Sequence, residues 1–227
     1  MALDVILMGV LAVMFLSGLR QKLLKSAIEL VGELTAVVVA GVLGGSVASW
    51  LFRAFFYEAF EQRISEMLAS AAIGLGAESV LAALPDFLVR SIERAGITTE
   101  QISALLETQQ GAAVDLICST VEPVLVGILK VLAFIILFMI VVIISRIVAD
   151  VFEKAHKLPI PDVADSVGGG VLRIISAIVV IWVIFGVFNV FLPLMSDQVQ
   201  ILVRNYIQES ILLSAIYNHN WIEGLVL

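Results

Sequence analysis

The sequence predicts an all-α integral membrane protein: four transmembrane helices, with short amphipathic helices in a long extracytoplasmic segment. Three observations predict it. Apolar residues make up 61% of the 227 and charged residues only 15%, against about 25% charge in a soluble domain. Four apolar runs reach the roughly 17–20 residues that a helix needs to cross hydrocarbon. None of them alternates polar and apolar side chains, and lipid offers the backbone no hydrogen-bond partner, so helices are the natural form.

The runs are Leu3–Leu19, Ala27–Phe52, Val124–Ser145 and Val171–Leu192. The first could be taken for a secretory leader, but leaders carry positive charge before the apolar stretch. Here Asp4 precedes it and the basic residues follow it, so it reads as a retained helix. The chain thus divides into residues 1–52 (two spans), 53–122 (outer segment), 123–194 (two spans and their loop) and 195–227 (tail).

Orientation follows from the short loops. Arg20, Lys22 and Lys25 lie between the first two spans; Arg146, Lys154 and Lys157 lie between the last two. The positive-inside rule puts both loops in the cytoplasm and both termini outside. The expected location is the bacterial cytoplasmic (inner) membrane, multi-pass, with lipid as the first partner.

The second span carries small residues four apart: Ala36, Ala40, Gly44 and Ala48, with Gly41, Gly45 and Ser49 alongside. Small side chains let helix backbones approach in lipid, where hiding Leu against Leu gains little. These residues are expected to form a packing seam. Charges in the spans need partners or an escape to the headgroups. Glu29, Glu33, Lys130, Arg173 and Asn189 form a candidate intramembrane polar network. Arg173 is expected to pair with Glu33 or Glu29, and Asn189 lies nearest Lys130 in depth.

In the outer segment, Phe52, Phe55, Phe56, Phe60, Ile64, Met67 and Leu68 recur at helical spacing among charges. This predicts an amphipathic helix leaving along the membrane surface, with Trp50 and Tyr57 at headgroup level. Pro85 opens a helix over Asp86–Ala95 that Gly96 stops. Thr98 and Gln101 form a capping-box pattern. Ala112–Ser119 then leads through Pro123 into the third span. Whether these helices cap the bundle or float on the membrane stays open.

The stretch PIPDVADSVGGGVLRI, residues 159–174, looks at first like a phosphate loop. It lacks the GK[ST] ending and follows no strand. Pro159 and Pro161 end the preceding helix. Asp165 or Ser166 is expected to cap the next one. Gly168, Gly169 and Gly170 let another backbone come close. The stretch is a loop-to-helix re-entry device.

Several functions are excluded. A net charge of −7 opposes nucleic-acid binding, which needs a basic face. The single Cys118 allows no intrachain disulfide or cysteine zinc set. His156 and His219 lack metal-ligand spacing. No HExxH, GxSxG or CxxC pattern occurs. The cluster His156, Lys157, Asp162 and Asp165 reads as a solvated, topology-setting loop. No catalytic, metal or cofactor residue is assigned, and no cofactor is expected.

Three stretches resemble the colicin V production protein (CvpA) family. The start, LDVILMGVLAVMFLSGLRQKLLKSAIELVGEL, matches at Asp4, Gly18 and Arg20; Lys22 stands where the family often has a second glycine. LPIPDVADSVGGGVLRI matches at Asp165 and Gly169, with Arg173 where a further glycine is usual. The tail, ESILLSAIYNHN, is similar through Ser210, Tyr217 and Asn220. The resemblance implies a four-helix inner-membrane protein linked to colicin V (toxin) production or export and to envelope stress tolerance. It supplies no catalytic residues. The expected function is non-enzymatic, with the outer helices and tail engaging an envelope partner or a homo-oligomer. The alternative is a subunit of an oligomeric channel or transporter, which the intramembrane charges motivate.

Overall fold

The computed structural model describes residues 2–70, 81, 82, 84–108, 110–155, 162–220 and 222. Pro159, Pro161, His156 and Lys157 lie outside the described residues. The described elements are helical throughout, and four helices are long and apolar enough to cross a membrane. Helix α1 is Ala2–Arg20 and α2 is Leu23–Leu51. A π-helical turn, Phe52–Phe56, leads into α3, Tyr57–Ser70. Then come α4 (Asp86–Arg94), α5 (Thr99–Thr108) and α6 (Gln110–Ala155). The chain ends with α7 (Asp162–Phe191), a 3-10 turn, α8 (Asp197–Glu209) and α9 (Ile211–Asn218).

The chain forms two compact units: residues 1–44 with 133–227, and residues 45–132. In the first, α1 lies along α7. Its core joins Val37 and Ala40 of α2 to Phe134, Val179, Val183 and Ile222. Large apolar side chains such as Val5, Val31, Ile143 and Ile184 point outward. That is the expected arrangement where the surroundings are hydrocarbon.

The second unit has its own core. Ile64 and Leu68 of α3 pack with Leu88 and Ile92 of α4, Ile102 of α5, and Ile117, Cys118 and Val121 of α6. Ile64 and Leu68 of the apolar face of α3 are therefore covered by protein, while Phe55 and Phe56 before it stay exposed. Four amphipathic segments can share one core, which removes more apolar surface from water than each alone. The capping box at α5 forms in both directions: Thr98 N–H donates to Gln101 Oε1 at 3.2 Å and Gln101 N–H to Thr98 Oγ1 at 3.3 Å. Gly96, at φ +75°, takes the left-handed conformation that ends α4.

Pro123 departs from expectation. It lies inside the 46-residue α6 and does not divide a short helix from the third span. A proline removes one N–H, and the strongly apolar turns after it hold the helix by packing. In the turn before it, the Thr120 and Ser119 hydroxyls both donate to Leu116 O, at 2.7 and 3.1 Å.

Candidate functional site

One end of the first unit is built on glycine. A Cβ added to Gly18 of α1 would meet Gly169 O at 2.5 Å and Gly170 Cα at 2.7 Å. A Cβ on Gly169 would lie 2.6 Å from Gly18 O, and one on Gly170 2.6 Å from the Phe15 ring. Gly168 faces Leu23. No other side chain fits, so α1 and α7 touch backbone to backbone here.

Between α1 and α2 the chain turns in two residues, Gln21 and Lys22. Lys22 has φ +48°, a left-handed conformation that costs an L-residue about 1–2 kcal/mol and a glycine almost nothing. The turn leaves the first N–H groups of α2 without intrahelical partners. Asp165 of α7 supplies one partner: its Oδ1 accepts from Leu23 N–H at 2.8 Å. Asp165 was expected to cap its own helix, with Ser166 as the other choice. α7 instead starts at Asp162, so both lie inside the helix, Asp165 in its first turn, and the carboxylate caps α2 from across the bundle.

Next along the same interface is a buried charge cluster. Glu29 and Glu33 are one turn apart on α2, and each is 4% exposed. The Arg173 guanidinium donates to Glu29. Glu33 faces Ser176 and Arg173, with Glu29 and Arg146 also in electrostatic reach. At the adjoining end of the unit, Lys25 pairs with Asp150 at 2.5 Å and Glu153 at 3.2 Å. The start of α2 and the end of α6 therefore share one end of the first unit.

At the other end the tail folds back. Asp4 Oδ1 accepts from the Ser210 hydroxyl at 2.7 Å and from Leu212 N–H at 3.0 Å. Ser210 Oγ in turn accepts from Leu213 N–H at 3.1 Å, capping α9. The Tyr217 hydroxyl donates to Asn189 Oδ1 at 3.2 Å, and its ring stands edge-on to Phe185. Trp182 Nε1 donates to Ile216 O at 2.7 Å, and Asn220 Nδ2 donates to Trp182 O. Trp182 precedes the end of α7 by nine residues, about 14 Å along a helix. α9 thus runs back beside α7, half-buried against it.

Of the seam residues, Ala36, Ala40, Gly44 and Ala48 are buried, while Gly41 and Gly45 are partly exposed. A Cβ on Gly45 would meet nothing within 4 Å. Sequence reasoning missed Gly32, whose Cβ position collides with Ser145 of α6. It lies one step of four before Ala36, so the same every-fourth-residue track, extended by one position, would have found it. Asn189 is engaged by Tyr217, and Lys130 is half-buried in α6. Among the described residues, no group of three His, Cys, Asp or Glu side chains could hold a metal ion.

Four helices long and apolar enough to cross a membrane, joined by glycine contacts, a cross-helix cap and a buried ion pair, define an all-helical chain of membrane-spanning character. Within that class, residues 111–220 match the family model described as Colicin V production protein, the same family that the motifs at both ends of the chain resemble. No curated protein and no solved structure matches the chain.

Proposed function

We propose that this is a non-enzymatic inner-membrane protein of the colicin V production type, acting in toxin production or export and in envelope stress tolerance by docking an envelope partner. The observation that carries the reading is where the motif residues go. Asp4 and Ser210 cap α9; Gly18, Asp165 and Gly169 join α1, α2 and α7; Tyr217 and Asn220 clamp α9 to α7. Apart from Arg20 in the basic turn, each motif residue thus has a structural task.

The docking surface in this reading is the second unit, on the outer side of the membrane. α3 and α6 there flank an open cleft of about 410 Å³ lined by Glu58, Glu61, Gln62, Ser65 and Asp115. Three carboxylates around one cleft favour a basic polypeptide segment by charge complementarity. The basic turn Arg20–Lys25 shares an end of its unit with Asp150 and Glu153, which supports a common cytoplasmic side for both short loops.

Two measurements test this. In a Cys118→Ala background, a thiol reagent that cannot cross membranes should label Ser103→Cys in intact cells and Glu153→Cys only after permeabilisation. The opposite pattern overturns the orientation. Photocrosslinking from Gln62 in living cells should trap a basic partner, and Glu58→Lys with Glu61→Lys should abolish the adduct. An adduct that survives the double reversal removes the acidic cleft from the reading.

A further inference from the structure

Among the described residues, five buried side-chain polar atoms have no hydrogen-bond partner: Gln21 Oε1, Ser26 Oγ, Glu33 Oε2, Arg173 Nε and Ser176 Oγ. All five fall in the α1–α2 turn, the first turns of α2 and the facing stretch of α7. Ser26, Glu29 and Glu33 occupy positions i, i+3 and i+7, one stripe of α2. Arg173 and Ser176, three apart, form the facing stripe. One turn beyond Glu33 the same stripe becomes Ala36, Val37 and Ala40, all at most 2% exposed; Val37 and Ala40 pack against Phe134, Val179 and Val183.

Buried polar atoms in native proteins are almost always partnered, and water takes that role where several converge. A carboxylate oxygen that accepts, a guanidinium N–H that donates and a hydroxyl that does both are the complement of a water molecule. Glu33, Arg173 and Ser176 supply this set, with the Ser176 hydroxyl directed at the Glu33 carboxylate and Glu33 Oε2 and Arg173 Nε left for water. Ser26 and Gln21 continue it toward the end of the unit where Lys25 meets Asp150 and Glu153. The charges are unequal along the way. Arg173 is committed to Glu29, whereas the Glu33 carboxylate keeps an unpartnered oxygen, with Arg146 as the further cation in reach.

We propose that water fills this end of the bundle as an inlet that stops at Glu33, and that the inlet favours small hydrated cations over anions. The apolar plug of Val37, Ala40, Phe134, Val179 and Val183 closes its inner end. The inlet lies wholly in the first unit, so it stands or falls separately from the docking cleft of the second.

Cysteine accessibility tests it on the full chain in liposomes, in the Cys118→Ala background. Ser26→Cys and Ser176→Cys nearly preserve side-chain shape, and Ala40→Cys marks the plug. Each is treated with a cationic and an anionic methanethiosulfonate, with rates normalised to those on a free thiol in water. Cysteines at 26 and 176 should react at least about tenfold faster than one at 40, since a thiol reacts only where solvent and reagent reach it. The cationic reagent should lead the anionic one by about tenfold, as expected where the Glu33 carboxylate is the charge left over from the Arg173–Glu29 pair. Glu33→Gln should erase that preference and leave access intact. Rates at 26 and 176 as slow as at 40 overturn the inlet. Equal rates for the two reagents with Glu33 in place overturn its charge preference, and that result needs no Glu33 variant to fold.

Discussion

Asp165 Oδ1 accepts the Leu23 backbone N–H at 2.8 Å, so the first turn of α7 caps the start of α2, 142 residues earlier in the chain. Cap and helix are in different segments, and the bond forms only once α1, α2 and α7 have assembled. Asp165→Ala should lower stability by about 1 kcal/mol, the usual worth of an N-cap. Asp165→Asn, which keeps an acceptor oxygen, should lose less. Unfolding in mixed detergent micelles measures both; equal losses for Ala and Asn would assign the effect to packing and not to the cap.

Lys22 occupies a left-handed conformation in the two-residue turn beside that cap. Lys22→Gly should stabilise the protein by about 1 kcal/mol, because glycine adopts this φ without the clash that a Cβ brings. Lys22→Ala should do nothing comparable, since alanine keeps the Cβ. The midpoint of thermal unfolding in detergent separates the three proteins.

Glycine contacts make opposite predictions at two sites. Gly169→Ala places a methyl 2.6 Å from Gly18 O and should cost about 1–3 kcal/mol as overpacking, or prevent α1 from docking. Gly45→Ala meets nothing within 4 Å and should gain up to about 1 kcal/mol from helix propensity. Yield of monodisperse protein and its thermal midpoint report the difference.

The ion pair of Arg173 with Glu29 makes a choice between two neighbouring carboxylates. Glu29→Gln leaves a buried guanidinium without its counter-charge and should destabilise by about 3 kcal/mol or more. The swap Glu29→Arg with Arg173→Glu should recover part of the loss caused by either reversal alone. The same swap at Glu33 should recover none. Stability measured as a double-mutant cycle decides this.

The tail is held by polar clasps that include Asp4 with Ser210, Tyr217 with Asn189 and Trp182 with Ile216. Asp4→Ala should release α9 without unfolding the spans. A cysteine at Ser214 should then react faster with a polar thiol reagent than it does in the presence of Asp4. An unchanged rate would mean that the contacts of α9 with α7 suffice without Asp4.

Much of the architecture was legible in the sequence, because solvent imposes it residue by residue. A run of apolar side chains long enough to cross hydrocarbon, bounded by basic loops, identifies a span without knowledge of its neighbours. Pro85, Gly96, Thr98 and Gln101 likewise mark α4 and α5 through bonds that close within a few residues. Pro123 misled for the complementary reason: its local preference for a break was outweighed by packing along the whole of α6.

What tertiary structure alone decided is partnership. Residues 29 and 33 are equivalent in the sequence, and only the placement of α7 gives Arg173 to Glu29 and leaves Glu33 with an open oxygen. Asp165 looked like the cap of its own helix, and nothing local to the tail named Trp182 as its partner; each found its partner on a distant element. Periodicity records which face of a helix is buried. It does not record which helix buries it, because that depends on contacts between residues whose separation along the chain carries no local signal.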